Sequence, residues 1–327
     1  MYQMKPIRLL AAAITLSAML SGCDSESEQD KSPSFQNETA SAVREKKSAA
    51  ESEEIKLPSA ETVPETEALA SVSPATVLCP DWASYFGELN GAAVIFDPDE
   101  YTVQIYNEDL ADTRRSPCST FKIISSLVGL ENGVIDPENS TRSWSGEIFW
   151  NDDWNRDIDF LSAFQTSCVW YYRQVIDEIG SDGMKRALDD LQYGNCDISD
   201  WEGHLNNNNS NPALTGFWIE SSLKISPREQ TEVMERIFGS SSKYSSDTRA
   251  LLEKAMFYSE GSDESCAVYG KTGMGKSEGT VVDCWYTGFA DVGHRIYFCI
   301  YLGETPGQNV SSSRAREIAV SLIKDNF

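Results

Sequence analysis

Ser116-Pro117-Cys118-Ser119-Thr120-Phe121-Lys122 runs directly into an apolar series, Ile123, Ile124, Leu127, Val128 and Leu130. That spacing predicts a helix that begins at the serine and ends near Gly133. Residues three apart share a helix face, so Ser119 Oγ and Lys122 Nζ would point into one cleft. A serine hydroxyl is a weak nucleophile until an adjacent base takes its proton, and the amine is placed for that task. Ser-x-x-Lys also occurs at Ser221, Ser240 and Ser321. What sets Ser119 apart is the proline before it, the helical apolar run after it, and a series of partners downstream.

Upstream of the stretch, Gly91 to Phe96 and Tyr101 to Tyr106 read as strands joined by Asp97-Pro98-Asp99-Glu100, a hairpin by its turn residues. Downstream, Ser140 to Thr166 is rich in aromatics. Val169-Trp170-Tyr171-Tyr172, Ile176, Ile179, Met184, Leu188 and Leu191 then fall at helical spacing. Tyr193-Gly194-Asn195 interrupts them as a loop, and Asn206 to Asn211 reads as another. Ser226-Pro227 opens a further helix, with serine as cap and proline at its first position. The last third returns to strands at Ala267–Gly273, Cys284–Ala290 and Arg295–Leu302, and ends in an amphipathic helix through Ala315, Ile318, Ala319, Leu322 and Ile323. Strands at both ends with helices between them predict an α+β fold, an antiparallel sheet flanked by helices with an all-helical subdomain.

The chain has 327 residues and a formal net charge of −24. Such acidity reads first as solubility, and it argues against nucleic acid, which needs a basic face. His204 and His294 lie far apart with no ligand-like spacing, so neither a histidine zinc site nor a histidine-dependent triad is expected. Lys5 and Arg8 precede an apolar run from Leu9 to Leu20, followed by Ser21-Gly22-Cys23. This is the anatomy of a secretory signal, too short for a comfortable membrane span. Residues 24–76 are Ser, Glu, Ala, Thr and Pro with Phe35 as the lone aromatic, and read as a disordered acidic tether. The folded domain is expected over 77–327.

Ser119-Thr120-Phe121-Lys122, Ser167-Cys168-Val169, Tyr193-Gly194-Asn195, Phe217-Trp218 and Lys271-Thr272-Gly273 follow one another at domain-scale spacing. Taken singly, each is an ordinary turn, cap or core segment. As an ordered set they resemble a class D (oxacillinase-type) serine β-lactamase, and are similar to penicillin-sensing domains and, more distantly, to penicillin-binding proteins. The resemblance covers Val77 to Phe327, and the Leu20-Ser21-Gly22-Cys23 ending resembles a bacterial lipobox.

The resemblance implies that Ser119 is acylated by a β-lactam and that Lys122 is carboxylated by CO2 to become the general base, with bicarbonate the only cofactor and no metal. Burial would favour this, since only a neutral amine attacks CO2. Val169 and Ile219 would wall the amine, and the Trp218 indole N–H would hold the carbamate. Ser167 would relay a proton to the lactam nitrogen, assisted by Lys271. Thr272 would bind the substrate carboxylate with a late arginine, Arg314, with Arg316 close behind. The backbone N–H groups of Ser119 and Met274, the latter beyond Gly273, would form the oxyanion hole. Cys23 would carry a lipid that tethers the domain to the extracytoplasmic face of a membrane.

Beyond Cys23, seven cysteines remain, and Cys118 and Cys168 flank two of the motifs. Either a bridge between them or two buried thiols fits the sequence. The alternatives to a hydrolase are a β-lactam sensor that acylates and stalls, and a D,D-peptidase. Sensors of this kind sit behind several membrane helices and a protease domain, whereas one signal segment precedes this domain, and Trp218 separates the chain from D,D-peptidases.

Overall fold

The computed structural model describes residues 74–205 and 210–327. The signal segment and nearly all of the tether expected from the sequence lie outside the described residues. Six strands form one sheet: β1 (Thr76–Leu78), β2 (Gly91–Asp97), β3 (Thr102–Tyr106), β4 (Ala267–Ser277), β5 (Thr280–Asp291) and β6 (Arg295–Gly303), in the order β1-β3-β2-β6-β5-β4. Eight helices accompany them among the described residues: α1 (Ala83–Phe86), α2 (Glu108–Ala111), α3 (Lys122–Glu131), α4 (Phe160–Gln165), α5 (Val169–Leu191), α6 (Pro227–Phe238), α7 (Ser246–Met256) and α8 (Ser312–Asn326).

Strand β6 shows how the sheet divides the core. Ile296, Phe298, Ile300 and Leu302 pack with α1 and with Ala315, Ile318, Ala319, Leu322 and Ile323 of α8. Tyr297, one residue out of phase, joins the cluster built from α3, α5, α6 and α7. The period-two alternation of a strand thus feeds two cores, one on each face. The helical body holds most of the large buried aromatics, including Phe121, Tyr171, Tyr172 and Trp218. Its α6 begins with Ser226 and Glu229 in a reciprocal capping box and Pro227 in the first turn.

Two details depart from the sequence reading. The sheet is antiparallel except at one edge, where β1 pairs parallel with β3. A three-residue strand carries too short a pattern to reveal its direction. The second strand begins at Thr102 rather than Tyr101, because Tyr101 closes the hairpin turn with a left-handed φ of 51°. In that turn the Asp97 carboxylate accepts from the backbone N–H groups of Asp99 and Glu100 at 3.0 and 3.2 Å.

Candidate active site

The nucleophile stretch is not one continuous α-helix. Cys118–Phe121 is a 3-10 turn, and α3 proper starts at Lys122. A 3-10 turn brings side chains three apart almost into line, closer than an α-helix would. Lys122 Nζ accordingly lies 3.0 Å from Ser119 Oγ. The lysine is 1% exposed, and burial holds its pKa down at about 8. The Tyr172 ring flanks it, with the ring centre 5.4 Å from Nζ.

Ser167 sits between α4 and α5 with a left-handed φ of 57°. For a serine this is a sparsely occupied conformation, held here by the helices on either side. Its hydroxyl accepts a hydrogen bond from Lys271 Nζ, which also reaches the Thr272 carbonyl at 3.2 Å. Lys271 is 4% exposed on β4, and burial, then the charges of Lys122 and Arg316, push its pKa well below the usual lysine range. Two buried amines thus lie one behind each serine.

Gly273 explains how β4 comes so near. A Cβ at this position would lie 2.9 Å from the Pro117 carbonyl oxygen and 3.2 Å from the Thr120 nitrogen. Only a residue without a side chain lets the strand pass against the nucleophile turn. Trp218 is fully buried, its ring stacked 6.0 Å from that of Phe121, and its Nε1–H has no hydrogen-bond partner. A buried indole donor without an acceptor is costly, and marks a place where an acceptor belongs. A carboxylated Lys122, next in the chain to the Phe121 ring stacked on this indole, would carry oxygens of the kind the donor lacks, so the residues present fit that group.

These elements line a cleft of about 460 Å³ that Ser119, Ser167, Val169, Ile219, Thr272, Gly273 and Met274 all border. Ser119 with a buried amine beside it, Ser167 with its own lysine, and the β4 edge therefore meet in one place, an arrangement of the kind that can support acyl transfer. Residues 91–324 match the penicillin binding protein transpeptidase domain family. The chain belongs to that family.

Within it, the domain is class D β-lactamase-like and related to penicillin-sensing domains. It is 30% identical to β-lactamase OXA-1 of Escherichia coli over 79% of this chain and 91% of that protein. The C-terminal domain of the Bacillus licheniformis BlaR penicillin-receptor superposes with a TM-score of 0.68 at 25% identity, covering 78% of this chain and 98% of that domain. A class D β-lactamase from Bacillus subtilis gives 0.62 at 27% identity, covering 74% and 94%. The match to the full-length regulatory protein BlaR1 of Bacillus licheniformis, 27% identical over 74% of this chain, spans 38% of that protein.

One site residue expected in this transpeptidase-family domain is elsewhere. Arg314 pairs with Glu317 at 3.0 Å and borders a separate hollow with Glu88, Gln308 and Ser311. Arg316 instead borders a hollow shared with Lys271 and Thr272, its guanidinium 4.2 Å from the Tyr258 ring centre. Two residues along a helix turn the side chain by about 200°, so only one of the pair can face the sheet edge. Near this hollow, Arg316 Nε and the Tyr286 hydroxyl are both buried without hydrogen-bond partners.

Other placements also refine the reading. Tyr193 packs edge-on against Phe121, 5.6 Å between ring centres, so the Tyr193-Gly194-Asn195 loop buttresses the nucleophile helix from behind. Cys118 and Cys168 are free, buried thiols, the second of the two alternatives their positions left open. Apart from Met274, named already for its backbone N–H, sequence reasoning missed the outer rim. Ile148 and Trp150 border the cleft at 76% and 77% exposure, with Met274 at 44%. Trp150 belongs to an aromatic-rich segment noticed in the sequence, but an outward-facing tryptophan cannot be told from a core one by type alone.

Proposed function

We propose that this domain hydrolyses β-lactams through an ester on Ser119, with a carboxylated Lys122 as general base. The observation that carries the reading is the buried Lys122 amine 3.0 Å from Ser119 Oγ, together with the unpartnered Trp218 indole donor. When carboxylated, Lys122 supplies a base both for ester formation and for water attack on that ester.

The chain's own residues account for the remaining steps. Ser119 Oγ adds to the lactam carbonyl and gives up its proton toward Lys122. The carbonyl oxygen gains charge, which the backbone N–H groups of Ser119 and Met274 would face. As the C–N bond breaks, the Ser167 hydroxyl passes its proton to the lactam nitrogen and is reprotonated from Lys271, with which it is hydrogen-bonded. Thr272 and Arg316 would hold the substrate carboxylate. Removal of that charge-assisted contact should raise KM about tenfold or more in Arg316→Ala. Arg314→Ala should stay near wild type. Equal effects in the two variants would remove the assignment, and a larger effect in Arg314→Ala would reverse it.

The decisive assay is turnover of a chromogenic cephalosporin with and without added bicarbonate. Sustained hydrolysis raised by bicarbonate is expected. A burst of one product per protein that then stops would instead identify a sensor that acylates without release. The exposed Ile148, Trp150 and Met274 rim supports an apolar acyl side chain on the substrate. Among the described residues no helix is long and apolar enough to cross a membrane. The lipobox-like ending at Cys23 supports export and lipid anchoring, and loss of membrane association in Cys23→Ser is the corresponding check.

A further inference from the structure

Ser116 lies outside the cleft lining and outside the motifs that carry the chemistry, yet it joins the two segments whose mutual position matters most. It is 2% exposed. Its Oγ donates to the Trp218 carbonyl at 3.1 Å and accepts from the Glu220 N–H at 2.8 Å. Its own carbonyl accepts from Trp285 Nε1 on β5 at 3.0 Å. Two residues later the Cys118 N–H donates to the same Trp218 carbonyl at 2.9 Å. At the far end of this seam Arg115 and Ile225 exchange both backbone hydrogen bonds, each at 2.9 Å.

The chain entering the nucleophile turn is therefore laced to the chain carrying Trp218. Backbone groups close the seam at Ile225. At Trp218 it depends on a side chain as well, because Glu220 has a left-handed φ of 53° and its N–H turns back toward Ser116. A conformation of that kind persists only where neighbours hold it.

We propose that Ser116 is a positioning residue that sets the pose of the Trp218 indole donor toward Lys122, and so the ease with which Lys122 is carboxylated. The inference rests on the function proposed above. Hydrogen bonds weaken steeply as their geometry departs from linear, so a shift of a few tenths of an ångström in the Trp218 backbone is felt at the indole N–H.

The test is the bicarbonate concentration giving half-maximal turnover, read beside melting temperature and the 13C carbamate signal with labelled bicarbonate. Ser116→Ala should raise that concentration about tenfold, the scale seen when a residue that orients a reactive group is lost. At saturating bicarbonate its acylation burst should stay within about threefold of wild type, since Ser119 and a carboxylated Lys122 are then both in place. Ser116→Thr keeps the hydroxyl and should restore the wild-type requirement. Should the alanine variant fail to fold, Ser116→Cys, a weaker donor, should give an intermediate requirement. An unchanged bicarbonate requirement in the alanine or cysteine variant, whatever its melting temperature, would overturn the proposal. So would a threonine variant as impaired as alanine. Wild-type protein that shows neither bicarbonate dependence nor a carbamate signal would instead sink the underlying function, and that outcome is visible before any variant is made.

Discussion

Lys122→Ala should retain at most a single slow acylation, with steady-state turnover reduced by about a hundred- to ten-thousandfold, the usual consequence of removing a general base. The amine is the polar group placed 3.0 Å from the nucleophile's oxygen, and alanine puts nothing in its stead. Mass spectrometry of the intact protein after mixing with a penicillin should show an adduct that persists for hours. Multiple rapid turnovers in this variant would refute the assignment. The pH dependence carries the same signature. Because burial lowers the Lys122 pKa to about 8, the wild-type acylation rate should rise as pH approaches 8 from below and then level. The stability consequence has a definite sign. An unfolded lysine titrates near 10.4, so between about pH 8 and pH 10 the unfolded chain binds more protons than the native one, and native stability rises with pH. In carbon-dioxide-free buffer that rise should be smaller in Lys122→Ala, as measured by urea midpoints across the window.

Lys271→Met should separate activity from stability in opposite directions. Lys271 donates to Ser167 Oγ, and its loss would remove the group proposed to reprotonate that hydroxyl, so kcat should fall by about two to four orders of magnitude. Yet the amine is buried beside a second buried lysine and Arg316, all of which disfavour its charge. Methionine fills a similar volume without that penalty, and the melting temperature should rise. Sites that hold groups against their preference often trade stability for activity in this way. A variant that loses both would mean that the ammonium is a structural tie rather than a poised proton donor. Near-normal kcat with a raised melting temperature would remove Lys271 from the proton path.

Part of the candidate site was legible because Ser119 and Lys122 fall within one helical turn, while Ser167, Trp218 and Lys271 were singled out by the ordered set of motifs that resembles a family. Ser119 and Lys122 announce themselves by separation and by the apolar run behind them. Ser226-Pro227 marks a helix start through capping chemistry, and the structure shows the reciprocal cap with Glu229. The aromatic rim was not legible, since Ile148 and Trp150 are of the same type as the buried Phe149 and Trp154 between and beside them. Arg314 and Arg316 were not separable either, because the choice depends on how α8 is rotated about its axis against the sheet.

The amino-acid sequence by itself determined the class of fold, the order of its elements and the local pairing of Ser119 with Lys122, because periodicity, caps and short-range spacing are encoded within a few residues. Only the tertiary structure decided how dry each lysine is, which arginine reaches the strand edge, and that Ser116 couples the nucleophile turn to a segment about a hundred residues away. Desolvation and long-range hydrogen bonds depend on which surfaces meet after folding, and that is set by the packing of the whole domain rather than by any local stretch.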